Sequence, residues 1–138
     1  MMPAGLTLDT GALLAVERGN PRVRALLRRA IENQLPLHIP AGVVAQGWRG
    51  GSRQARMARL LTAREVQIVA LDHLTARAVG VLCGMSGHSD VVDVHVVLHA
   101  RENNHHIVTS DPADLAPVDP SITLIIVTAH GDVLGRSG

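Results

Sequence analysis

SDVVDVHVVLHARENNHHIVTSDPADL, residues 89–115, decides the fold. Apolar residues run from Val91 to Leu98 with acids in their first turn, and after the polar break Asn103-Asn104-His105-His106 a short run, Ile107-Val108, reads as a buried strand. The stretch is therefore a helix feeding a strand, with Asp111 just past the strand's end. Asp90 and Asp93 are three apart and share a helix face. The first apolar run, Leu6-Thr7-Leu8, closes on a further acid, Asp9, just before a helix begins. Ligands of open parallel α/β sheets gather outside the carboxyl ends of the strands, so Asp9, Asp90, Asp93 and Asp111 propose an acidic, metal-binding cleft there.

Outward from this stretch, strands and helices alternate. Thr10–Glu17 reads as a helix stopped by Gly19-Asn20-Pro21, and Pro21 starts a second in which Val23, Leu26, Leu27, Ala30 and Ile31 form an apolar stripe. Residues 35–39 are a short strand. Residues 41–51 read as a helix ended by Gly50-Gly51, with Ser52 as the N-cap of the next. Residues 66–71 are the third strand, and Asp72 caps the helix carrying Leu74, Ala78, Val79 and Leu82, which Gly84–Gly87 ends. After the featured helix and strand, Pro112–Asp119 is a turn and Ile122–Val127 a last buried strand. Such alternation predicts an α/β fold with a mostly parallel central sheet and helices on both faces. Residues 1–128 form one domain, and 129–138, without apolar period, a flexible tail.

Composition narrows the function. The 138 residues are 46% apolar, enough for a core, yet contain no Phe or Tyr and one Trp, Trp48, which argues against a base-stacking platform. The net charge is +1, and every one of the thirteen basic residues is Arg. Arg49, Arg53, Arg56 and Arg59 recur at roughly three-residue steps, as phosphate-binding residues would and as an ordinary solvated face also would. Cys83, the single cysteine, sits among Val79, Val81 and Leu82 and reads as a buried, inert thiol. Met57 with Leu60 and Leu61 reads as core or a partner-helix groove. With no membrane-length apolar run and no signal pattern, a soluble cytoplasmic protein is the expectation.

Three pieces in order, LTLDTGALLAVERG (6–19), IPAGVVAQGWRGG (39–51) and the opening stretch, resemble the PIN-domain ribonucleases, most closely the VapC-type toxins of toxin–antitoxin pairs. The resemblance implies a PIN-like three-layer fold and a metal-dependent endoribonuclease that leaves a 5′-phosphate. It matches Asp9, Asp93 and Asp111 to the family's acids and Thr10 to the small hydroxyl residue beside the first. Ser110 and Gln46 join Thr10 as supporting residues, and Arg49, Arg53 and Arg56 are the candidates for RNA binding. The family usually has Glu where Gln46 stands, and Asp90 is the residue that could restore the missing charge. The cofactor implied is Mg²⁺ or Mn²⁺, as oxygen-only ligands require. The partners implied are an RNA substrate, an antitoxin protein and a second copy of the chain, with no membrane.

Plainer roles compete. Asp9, Asp90 and Asp111 each precede a helix, where Asp is a preferred cap, and Asp114 reads as a cap or a solvated turn residue. His95 and His99 have the four-residue spacing of a zinc pair, with His88, His105 and His106 nearby. Lacking an HExxH pattern or a cysteine pair, they read more simply as neutral helix-face or solvated histidines. Gln46 also leaves open a catalytically silent domain that binds RNA or an antitoxin. A receiver-like domain using Asp9 as phosphoryl acceptor would need a second acid where Gly11 stands.

Overall fold

The structure, a computed structural model, describes residues 2–127 and the backbone of 133–137. Five strands follow the predicted alternation: β1 (Gly5–Leu8), β2 (Leu37–Pro40), β3 (Val66–Val69), β4 (His105–Thr109) and β5 (Thr123–Val127). Between them run α1 (Thr10–Glu17), α2 (Pro21–Glu32), α3 (Ala41–Gly47), α4 (Ala55–Thr62), α5 (His73–Ser86), α6 (Val91–Asn103) and the short α7 (Pro112–Leu115). The five strands are all parallel, in the order β3-β2-β1-β4-β5. Successive strands move outward from β1 to one edge and then from β4 to the other. The direction of winding reverses between β1 and β4, the place where such sheets bind ligands.

The register sorts the strand residues onto two faces. Thr7 pairs with His38 and with Ile107, and Gly5 with His105, so these residues share the face on which α6 lies. Leu6 and His106 are on the other face, where they line a cavity with Leu26 and Ala30 of α2. Leu8, Leu13, Ile39, Val43, Val94, Val97, Ile107 and Val108 are fully buried in the core between. Met57, with no exposed surface, belongs to it as well.

Local differences from the expected elements have physical causes. α3 ends at Gly47 rather than at Gly50-Gly51, because Trp48 turns extended there. Ser52 caps nothing: it opens a 3-10 turn over Ser52–Gln54. The bonds that organise this corner come from Gln54. Its side-chain oxygen accepts from the Arg49 and Gly50 amides at 2.8 and 3.0 Å, and its amide donates to Glu17 at 2.6 Å and to the Gly47 carbonyl at 2.8 Å. Cys83 is half-buried rather than enclosed, since α5 leaves Leu74, Val81 and Met85 exposed. Pro112–Asp119, expected as a turn, contains α7. Part of the expected flexible tail is a strand, β6 (Val133–Ser137), antiparallel to β5, whose edge supplies the backbone partners a sequence period would not reveal. Residues 128–132 and 138 of that tail lie outside the described residues.

Candidate functional site

Asp9 follows β1 and Asp111 follows β4, adjacent strands at the reversal of winding, while Asp93 sits in the first turn of α6. The sheet thus brings together three acids that are 18 to 102 residues apart in sequence. Asp9 is 6% exposed. One of its oxygens caps α1 by accepting from Ala12 N–H at 2.9 Å, and the other accepts from the Thr109 hydroxyl. Burial pushes its pKa up to about 6 against these two bonds, and the charges of Asp93 and Asp111 push the same way. Among the described residues the ion pairs are Arg64–Glu65, His88–Asp93 and Arg101–Asp119, so no arginine compensates Asp9.

The remaining acids differ from one another. Asp93 is half-buried, accepts from Nε2 of His88 at 3.2 Å, and has its pKa raised by burial despite that bond. Asp111 is exposed and stands at the cap position of α7 without making a capping bond, while its own N–H donates to Thr109 Oγ1 at 2.9 Å. Thr109 therefore links Asp9 to Asp111. Asp114 is exposed in the first turn of α7, in line with its reading as a solvated turn residue, and a side-chain hydrogen bond with Asp111 raises its pKa. Asp90 is exposed, and its carboxylate caps α6 through Val92 and Asp93 N–H at 2.9 and 3.1 Å. Capping accounts for its geometry, although its charge still acts on Asp93.

Of the supporting residues, Thr10 donates its hydroxyl to the side-chain oxygen of Gln46, which is exposed at the end of α3. Ser110 lies over the start of α1 so closely that a Cβ on Gly11 would be 2.0 Å from its Oγ. Glycine is needed there for close approach. The arginine stripe divides. Arg49 folds back onto the Ala45 and Trp48 carbonyls at 3.1 and 2.8 Å, Arg53 is exposed, and Arg56 and Arg59 join Arg24 and Val16 around a cavity of about 340 Å³.

The donor set of Asp9, Asp93 and Asp111 is three hard oxygens, one of them buried without a counter-charge, which fits Mg²⁺ or Mn²⁺. Their oxygens do not gather within ligand reach of one another. Among the described residues the trio of metal-capable side chains with ligand atoms all within 4.8 Å is a different one, His38, His99 and His105. Spread carboxylates suit Mg²⁺, which keeps several of its waters. Residues that sequence reasoning missed are Thr109, His88 as the partner of Asp93, and His38. Thr109 and His38 lie on strands and carry no local signal. Of the histidines expected to be neutral helix-face or solvated residues, His95 on α6 is neutral but buried, at 2% exposed, and His105, which opens β4, is 6% exposed; burial lowers the pKa of both.

A chain in the structure of FitAB bound to an IR36 DNA fragment superposes with a TM-score of 0.62 over 88% of this chain and 94% of that one, at 16% identity. A chain in the crystal structure of FitAcB from Neisseria gonorrhoeae gives a TM-score of 0.57 over 86% and 95%, at 17% identity. This chain has a PIN-like fold. The PIN-like arrangement is what sets Asp9 and Asp111 side by side at the ends of β1 and β4. No protein-family model matches the sequence, and no curated protein does. Among the described residues no helix is long and apolar enough to cross a membrane.

Proposed function

We propose that this chain is a metal-dependent endoribonuclease and the toxin of a type II toxin–antitoxin pair. The observation that carries this reading is Asp9, a buried carboxylate without a cationic partner, placed at the reversal point of a PIN-like sheet beside Asp93 and Asp111. Asp9, Asp93 and Asp111 would hold Mg²⁺ or Mn²⁺, which supplies an activated water and charge neutralisation for in-line attack on an RNA phosphodiester. The chain's own contributions are distinct. Thr109 orients Asp9 and tethers the backbone of Asp111, and His88 fixes the carboxylate of Asp93. Thr10 holds Gln46 at the rim, and Arg53 and Arg56 offer guanidinium groups for RNA phosphates. Arg49, turned onto α3, would have to release two carbonyls to do the same.

The sequence resemblance and the fold shared with FitAB and FitAcB together support an antitoxin as protein partner. A homodimer and a cytoplasmic setting belong to the same reading. With Mg²⁺ or Mn²⁺ present, purified wild-type protein is expected to cut RNA, and Asp9→Asn and Asp93→Asn to lose at least about a hundredfold in rate, as removal of a charge-stabilising group does. Equal cleavage by the variants would overturn the assignment. A second reading, a silent domain that binds RNA or an antitoxin, is favoured by Gln46, which brings no charge where the family has Glu. RNA binding without cleavage at any metal concentration would select it.

A further inference from the structure

We propose that His38, His99 and His105 form a second metal site, one that takes a late first-row divalent cation, zinc foremost, through three imidazole nitrogens. The site is independent of the acidic cleft and of the nuclease reading. His38 comes from β2, His99 from α6 and His105 from the first position of β4, and one ligand atom from each lies within 4.8 Å of the others. The ring centroids of His38 are 5.0 Å from His99 and 4.7 Å from His105, and those of His99 and His105 are 5.8 Å apart. Nδ1 of His38 and Nε2 of His99 are 2.7 Å apart, a hydrogen bond in the metal-free chain. Two nitrogens about 2.0–2.1 Å from a tetrahedral ion stand ~3.3 Å apart, so filling the site asks these rings to separate by a few tenths of an ångström.

The surroundings support a ligand role. The Thr7 hydroxyl is 2.9 Å from Nδ1 of His105, and the side-chain amide of Asn103 holds the His99 carbonyl at 2.8 Å and lies 3.4 Å from His99 Nδ1. Partners of this kind fix the tautomer and aim of ligating imidazoles. β1 opens with Gly5 directly beneath His105: a Cβ there would be 2.5 Å from Nε2, so only glycine leaves room for the ring. Burial keeps His99 and His105 neutral, with pKa values lowered to about 4, so their lone pairs are free at neutral pH. His38 and His99 are only half-buried, which leaves an approach for the ion and a fourth position for water. A fourth imidazole, His95, borders the cluster with its ring 6.4 Å from His99 and its buried Nε2 without a hydrogen-bond partner.

The two sites differ in chemistry. An all-imidazole set favours Zn²⁺, Co²⁺, Ni²⁺ or Cu²⁺ over Mg²⁺, whereas the carboxylates also suit Mg²⁺ and Mn²⁺. Asp93 and His99 are six residues apart, ~9 Å along α6, so one helix serves both. An ion here would staple β2 and β4 to that helix across 61 residues of sequence between His38 and His99.

The test uses the full chain with Asp9→Asn and Asp93→Asn, which disables the acidic cleft, titrated with ZnCl₂ or CoCl₂ alone. One equivalent of Zn²⁺ is expected to bind and to raise the thermal midpoint. Co²⁺ is expected to give the intense visible bands of a four-coordinate ion. Adding His38→Gln or His99→Gln should weaken binding by at least about a hundredfold, at the top of the range for losing mere outer partners. Undiminished binding in these variants, or no binding in the acid-disabled protein, overturns the site. X-ray absorption of the zinc-loaded wild type needs no variant to fold: three imidazole nitrogens at about 2.0 Å are expected, and an oxygen-dominated shell refutes them. Loss of RNA cleavage bears on the acidic cleft alone, so either reading can fail without the other.

Discussion

At the scale of the residue, Asp9 is held in a place that suits its neutral form. A folded-state pKa of about 6 against 3.8 means that the folded chain releases this proton less readily than the unfolded one. The favourable contribution is complete below pH 3.8 and is lost as pH rises through 6, leaving ionised Asp9 a cost of about 3 kcal/mol in the metal-free protein. Asp9→Asn keeps an oxygen for the Ala12 amide and removes the charge. It should raise the stability of metal-free protein at pH 7.5 by about 1–3 kcal/mol in urea melts, with the gain absent near pH 3.5. A variant less stable than wild type at both pH values would show that the Thr109 bond outweighs the buried charge. Asp90→Asn makes a useful contrast, because Asn caps a helix as well as Asp does. Its stability should change by less than about 0.5 kcal/mol, so any change in cleavage would report the charge that Asp90 exerts on Asp93.

At the scale of the element, two connections hold the site in place. Gln54 makes four hydrogen bonds, one to Glu17 of α1 and three to the Gly47 carbonyl and the Arg49 and Gly50 amides at the end of α3 and the loop after it. Gln54→Ala should cost about 2–4 kcal/mol, since it deletes four hydrogen bonds worth about 0.5–1.5 kcal/mol each. Chemical denaturation checks this, and a loss under 1 kcal/mol would mean that water replaces the side chain. The second connection is the contact of Gly11 with Ser110, which locks the start of α1 to the end of β4. Gly11→Ala places its Cβ 2.0 Å from Ser110 Oγ and 3.1 Å from the Ser110 amide nitrogen. The hydroxyl can rotate away but the backbone must yield, so a cost of about 1–3 kcal/mol is expected. Restored stability in Gly11→Ala/Ser110→Gly would assign the cost to the hydroxyl instead.

At the scale of the whole molecule, opposed titrations shape the response to pH. His99 and His105, with folded pKa values of about 4 against 6.5, contribute stability that is present above pH 6.5 and lost as pH falls through 4. Asp9 works in the reverse sense over much of the same interval. Thermal midpoints of wild type should therefore fall on acidification from pH 6.5 to 4, and Asp9→Asn should fall more steeply, because its compensating term is gone. Parallel curves would deny the Asp9 shift. Charge acts at this scale too: if Arg53 and Arg56 meet RNA phosphates, replacing both with Ala should lower the slope of log affinity against log salt by about 1.4 for single strands.

Much of this was legible in the chain itself, because the signals are local. Apolar periods mark five parallel strands and most of the helices, and Asp9, Asp72 and Asp90 stand where helices begin and do cap them. Acids after strands Leu6–Leu8 and Ile107–Val108 pointed to one edge of the sheet, and the sheet order does place those strand ends side by side. What the sequence could not determine depends on register and on close approach between distant segments. Thr109 becomes the link between Asp9 and Asp111 only when β1 and β4 pair, and Gln54 becomes a hub only when α1 comes within 2.6 Å of it. His95 and His99 have the helical spacing of a metal pair. The fold instead groups His99 with His38 and His105, since the pairing of β2 and β4 with β1 puts those two on the face that α6 covers. Periodicity reports which way a side chain points from its own element, and only tertiary packing decides what it meets there.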